Sequence, residues 1–100
     1  MADLVVLYWR DIPAQVIVKR GRLSAKRELS LRFTEAIDMA AMRSGAAQTD
    51  DYLAEWRKAD PVPVGDDLEA EAGKAIDRLE AEYTRERLVA LAKAGGRENG

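Results

Sequence analysis

LVVLYWRDIPAQVIVKR, residues 4–20, holds two apolar runs, Leu4 to Trp9 and Gln15 to Lys19, rich in β-branched and aromatic residues and too short for helices. Both read as strands. Proline costs a ladder bond in a central strand and is tolerated in turns and at edges. Arg10 to Ala14, which contains Pro13, therefore reads as a longer loop joining the runs into a β-hairpin. Gly21 and Arg22 offer a second turn. Beyond it Ala25, Arg27 and Leu29 alternate with Lys26 and Glu28 as a short third strand.

Helical signals follow. Ser30 is placed to cap a helix over roughly 31–44, where Phe33, Ile37, Ala40 and Ala41 form one apolar stripe and Gly45 supplies the stop. Thr49 is the expected cap of a helix over about 50–58, with Asp50 and Asp51 in its first turn and Tyr52, Leu53 and Trp56 as its apolar members. PVPVG, 61–65, reads as an extended linker. Asp66 with Glu69 resembles a capping box, and Leu68, Ala72, Ala75, Ile76, Leu79 and Tyr83 share one face of the helix behind it. The stripe shifts at Thr84: either the helix turns its face there, or Thr84 begins a short fourth helix ending at Gly95 and Gly96.

Strands first and helices afterwards give an α+β class: a small antiparallel two- or three-stranded meander followed by three or four helices packed on one face. A single domain is expected over 1–96, with 97–100 a frayed tail. Val6, one of Tyr8 and Trp9, Val16, Val18, Phe33, Ile37, Leu53 and Trp56 should share its core. The helix from about 67 is expected to fold back over the sheet, its acidic end toward the basic hairpin; projecting, it would pack on a partner or a second copy of the chain.

Of 100 residues, 47% are apolar and 34% charged, with a net charge of −2, so the chain can bury a modest core under a charged exterior. It has no cysteine and no histidine, which removes disulfides, thiolate nucleophiles, imidazole bases and the zinc sites built on them. No phosphate loop, calcium loop or nucleophile elbow is present. Asp66, Asp67, Glu69 and Glu71 could be imagined around a metal, but acidic residues are favoured at a helix start in any case. No catalytic residue, metal ligand or cofactor site is assigned, and the chain reads as a binding protein rather than an enzyme. No stretch reaches the roughly 18 apolar residues of a membrane span. Met1-Ala2-Asp3 lacks the basic region of a signal peptide, so a cytoplasmic location is expected.

Charge divides along the chain. Residues 1–43 carry eight Lys and Arg against five Asp and Glu, and residues 44–100 carry eight against thirteen. If Leu7 and Trp9 face the core, Tyr8 and Arg10 share the opposite face with Asp11 and Gln15 nearby, and a ring beside a guanidinium suits a planar or anionic ligand. Lys19, Arg20 and Arg22, with Lys26 and Arg27, form a basic cluster suited to phosphate. The acidic overall balance argues against nucleic acid.

YWRDIPAQVIVKRGR (8–22), ELSLRFTEAIDMAAMRSG (28–45), DDYLAEWR (50–57) and PVPVGDDLEAE (61–71) together resemble the small bacterial virulence factor family, the conserved virulence factor C-like domain, over about residues 3–83. YWRDIPAQV is the most specific portion. The resemblance implies an accessory or adaptor role toward a protein partner, with an enzyme of folate- or corrinoid-linked one-carbon metabolism as the candidate, and it carries over no catalytic residue. The alternative is a phosphate-ligand or nucleic-acid binding module using Arg10 and the basic hairpin.

Overall fold

The two apolar runs pair as β1 (Ala2–Trp9) and β2 (Ile12–Arg20), an antiparallel hairpin, in a computed structural model that describes residues 1–46 and 48–98, with Thr49 through its backbone alone. Leu7 faces Gln15 but Tyr8 faces Pro13, so Ala14 is the extra residue of a β-bulge, and its carbonyl accepts the Leu29 N–H at 3.0 Å. β3 (Leu23–Glu28) follows β2 only as far as Gln15, so Pro13 lies where β2 is an edge. The expected long loop shrinks to Arg10 and Asp11.

Two strands were not expected. β4 (Trp56–Lys58) pairs antiparallel with Leu7 to Trp9, and β5 (Val62–Val64) with Ala2 to Leu4, both along the free edge of β1. Between them Ala59 donates to the Val6 carbonyl at 2.9 Å. The helix expected to reach 58 stops at Ala54, and the expected linker at 61–65 is largely strand. The reason is tertiary: β1 would otherwise present a row of unpaired N–H and C=O groups, which any extended neighbour can satisfy. Pro63 is tolerated on this outermost strand because an edge needs no donor on its solvent side.

The helices are α1 (Leu31–Ser44), α2 (Thr49–Ala54), α3 (Leu68–Glu82) and α4 (Arg85–Lys93). Alternation along β1 and β2 sends Leu4, Val6, Val16 and Val18 into the core. Val5, Leu7, Gln15 and Lys26 fall on the face without helices. α3 lies on β2 and β3, burying Ala72, Ala75, Leu79 and Tyr83. It folds back as expected, and Arg27 meets Glu69 at 2.7 Å while Arg20 reaches Asp66 at 4.0 Å. These exposed pairs orient the helix more than they stabilise it.

Three local details differ from expectation. α3 is capped by Asp67, not Asp66: its carboxylate accepts the Ala70 N–H at 3.2 Å. Gln48 occupies the N-cap of α2, and the Thr49 side chain expected there lies outside the described residues. Leu53 is 59% exposed rather than in the core, because a helix of six residues can turn only one narrow face inward and Tyr52 takes it. Other signals are met. Gly45 (φ 77°) allows the Ala46 N–H to reach back to Ala41 at 2.9 Å, and Thr84 caps α4 by accepting from the Arg87 N–H at 3.2 Å. Arg97 and Glu98, expected to fray, are tied to the domain, while Asn99 and Gly100 lie outside the described residues.

Ser30 holds the N-cap of α1, yet its hydroxyl does not cap. It donates to Glu80 Oε1 at 2.9 Å, its N–H donates to Glu80 Oε2 at 2.7 Å, and Arg32 adds a bond to Oε1 at 2.8 Å. Burial alone would raise the Glu80 pKa, but these donors outweigh it and hold the carboxyl below its ordinary value. The resulting stabilisation is present above the unfolded value of about 4.3 and is lost as pH falls through the lowered folded value. Glu80→Gln is expected to cost about 1–2 kcal/mol at neutral pH. In urea melts that cost should shrink in acid; a cost independent of pH would contradict the assignment.

Candidate functional site

The hairpin tip is an unusual piece of backbone. Arg10, the first of its two connecting residues, has φ 54°, a left-handed conformation that costs an L-residue with a side chain about 1–2 kcal/mol. No glycine or asparagine relieves it, so the surroundings hold it in place. The Arg10 side chain, 14% exposed, donates to the Gly95 carbonyl at 2.8 Å, lies 3.5 Å from the Glu55 carboxylate and stacks on the Trp9 ring. The Arg10 backbone N–H donates to the Glu55 carbonyl at 3.1 Å, and the Asp11 N–H to the Gly96 carbonyl at 2.8 Å. Trp9 is wholly buried, donating to the Tyr52 carbonyl at 2.9 Å. A Cβ on Gly96 (φ 90°) would come within 2.9 Å of that indole, so only glycine lets the C-terminal segment close over it.

Beside the tip lies a polar cleft of about 230 Å³, lined by Tyr8, Asp11, Arg57, Ala59, Tyr83 and Glu98. β4 delivers Arg57, whose guanidinium sits 4.6 Å from the Tyr8 ring centre, with Nε donating to the Arg10 carbonyl at 3.0 Å. Arg87 of α4 covers Tyr83 at 4.1 Å, donates to Glu98 Oε1 through Nε at 2.8 Å and forms an ion pair with it, Nη2 lying 2.6 Å from the same oxygen. That hydrogen bond raises the Arg87 pKa, outweighing burial. Burial first, and the neighbouring Tyr8 second, push the Tyr83 hydroxyl up to about 12. It is therefore a neutral donor at physiological pH, and the cleft sets the Arg57 cation and the two tyrosines beside the Asp11 and Glu98 carboxylates.

A second opening is apolar. Ala36 and Met39 of α1 face Leu88, Val89 and Ala92 of α4 across a groove of about 210 Å³, with Arg32, Glu35 and Arg85 supplying its polar lining. Met39 is 49% and Val89 43% exposed, and Met42 continues the surface one turn along.

The residues singled out from sequence separate into two groups. Tyr8, Arg10 and Asp11 gather at the tip, although Arg10 turns inward as a clasp and Tyr8 faces the cleft rather than an open sheet face. Of Tyr8 and Trp9 it is Trp9 that joins the core, but Leu7, expected to face inward with it, lies on the helix-free face, because the bulge at Ala14 shifts the register between Leu7 and Tyr8. Gln15 is half-buried between Leu7 and Glu28 on the helix-free face. Lys19, Arg20 and Arg22 lie at the far end of β2, roughly 25 Å from the tip by strand rise. Arg10 therefore cannot join them on one small ligand. Sequence reasoning missed Arg57, Tyr83, Arg87 and Glu98, which fold in from distant segments, and it missed the groove. Met39 and Met42, three apart and off the Phe33–Ile37 stripe, were its available signal.

Among the described residues no group of three or more acidic side chains is arranged to hold a metal ion, and no helix is long and apolar enough to cross a membrane. A family model described as Virulence factor matches residues 7–92. No curated protein and no solved structure matches the chain.

Proposed function

The chain belongs to the virulence factor family, and from that premise we propose that it is a non-catalytic, cytoplasmic accessory protein that docks a protein partner in the groove between α1 and α4. The observation that carries this reading is the groove's lining: exposed Met39 and Val89 over buried Ala36, Leu88 and Ala92. Such an apolar surface suits the face of a partner helix, and methionine side chains adapt to its shape. The basic residues of the hairpin support the alternative less, since Arg20 and Arg27 already meet acidic residues of or just before α3. An enzyme of folate- or corrinoid-linked one-carbon metabolism is the first partner to try, on the family resemblance alone.

Met39→Asp with Val89→Asp tests the proposal. Both positions are exposed, so the fold should lose little, about 0.5 kcal/mol per site. The unsubstituted chain should bind a one-carbon enzyme or another stoichiometric partner that the double variant releases, or else sediment as a dimer that the variant breaks. A partner retained equally by both chains would overturn the groove as the docking face.

A further inference from the structure

We propose that the cleft between Tyr8 and Tyr83 recognises a glutamate residue within a peptide segment, and that the chain's own Glu98 occupies it. This goes beyond the docking groove and rests on different residues.

Glu98 is held at two points that define one kind of ligand. Its Oε1 accepts one hydrogen bond from Arg87 Nε within an ion pair, and its backbone N–H donates to Asp11 Oδ2 at 2.8 Å. A peptidic glutamate presents both groups at this spacing, whereas a free dicarboxylate lacks the N–H and a glutamine lacks the charge that pairs with Arg87. The receiving groups are set in place independently of Glu98. Arg57 approaches Asp11 Oδ1 at 3.5 Å while stacked on Tyr8, and Arg87 rests on Tyr83 and donates to the Glu82 carbonyl at 3.2 Å.

The occupant is replaceable. Gly95 and Gly96 are buried and anchored to the hairpin tip, but Arg97 and Glu98 beyond them are exposed. The side chains of the Arg87–Glu98 pair are 38% and 45% exposed, and pairs of that kind hold weakly in water. What keeps Glu98 in place is its tether, since a segment linked through a short span competes at an effective concentration of order millimolar. A glutamate-bearing segment of another protein, bringing further contacts, displaces it.

The test is a titration of the full chain with acetyl-Gly-Glu-Gly-amide, followed by amide chemical shifts around Asp11, Tyr83 and Arg87. Glu98→Ala, and Glu98→Gln as a variant of equal volume, should half-saturate at about tenfold lower peptide concentration than the unsubstituted chain. The Gly-Gln-Gly analogue and glutarate should bind Glu98→Ala at least about tenfold more weakly, and adding Arg87→Gln should abolish the saturable shift. Equal titration of substituted and unsubstituted chains, equal binding of the glutamine peptide, survival of binding without Arg87, or no saturable shift would each overturn the proposal. None of these results depends on Met39 or Val89, so failure here and failure of the groove are separately visible.

Discussion

Phe33→Ala is expected to destabilise the domain by about 3–5 kcal/mol, the cost of removing a buried aromatic and leaving a cavity behind it. Phe33 is 0% exposed on the stripe it shares with Ile37, Ala40 and Ala41. The Tyr83 ring lies 6.1 Å away, centre to centre, so the side chain joins α1 to the end of α3. Little can collapse into the space, because α1 is fixed at its start by Ser30 and Arg32 on Glu80 and at its other end by the Gly45 turn. At roughly 4–8 °C per kcal/mol for a domain of this size, the midpoint should fall by tens of degrees. A loss under about 1 kcal/mol in urea melts would mean that α1 does not pack as described.

Arg10 gives the second large effect and a sharper comparison. Arg10→Ala removes the bond to Gly95, the contact with Glu55 and the cover over Trp9, while leaving the left-handed backbone unrelieved. The expected cost is about 2–4 kcal/mol. Arg10→Gly loses the same contacts but adopts φ 54° freely, so it should be more stable than Arg10→Ala by about 1 kcal/mol. Equal stability of the two would show that the turn carries no strain. Higher stability of Arg10→Gly than of the unsubstituted chain would show that the clasp contributes less than the backbone cost it accompanies.

The parts of the fold readable from sequence are those whose signal is local. The apolar runs at 4–9 and 15–19, the Phe33–Ile37 stripe and the Ala72–Leu79 stripe each report their own burial. β4 and β5 are three residues each and exist because β1 has an edge to fill, a fact residing in β1 and not in Trp56-Arg57-Lys58 or Val62-Pro63-Val64. The tight turn was hidden because its left-handed position falls on Arg10, a residue type that rarely adopts that conformation. At the candidate sites, Tyr8 and Asp11 were visible as a dense polar motif. Their partners Arg57, Tyr83, Arg87 and Glu98 arrive from β4, the end of α3, α4 and the segment after it, and the groove needs α1 and α4 side by side, which no single stripe encodes.

Hydrogen exchange on the chain with its captured partner bears most directly on the docking role. The groove reading predicts slowed exchange across 32–42 and 85–92 and little change at 15–27, with the effect lost in the Met39→Asp, Val89→Asp variant. Protection confined to the basic hairpin at 19–27, with 32–42 and 85–92 unchanged, would contradict it and return the phosphate-binding alternative to first place.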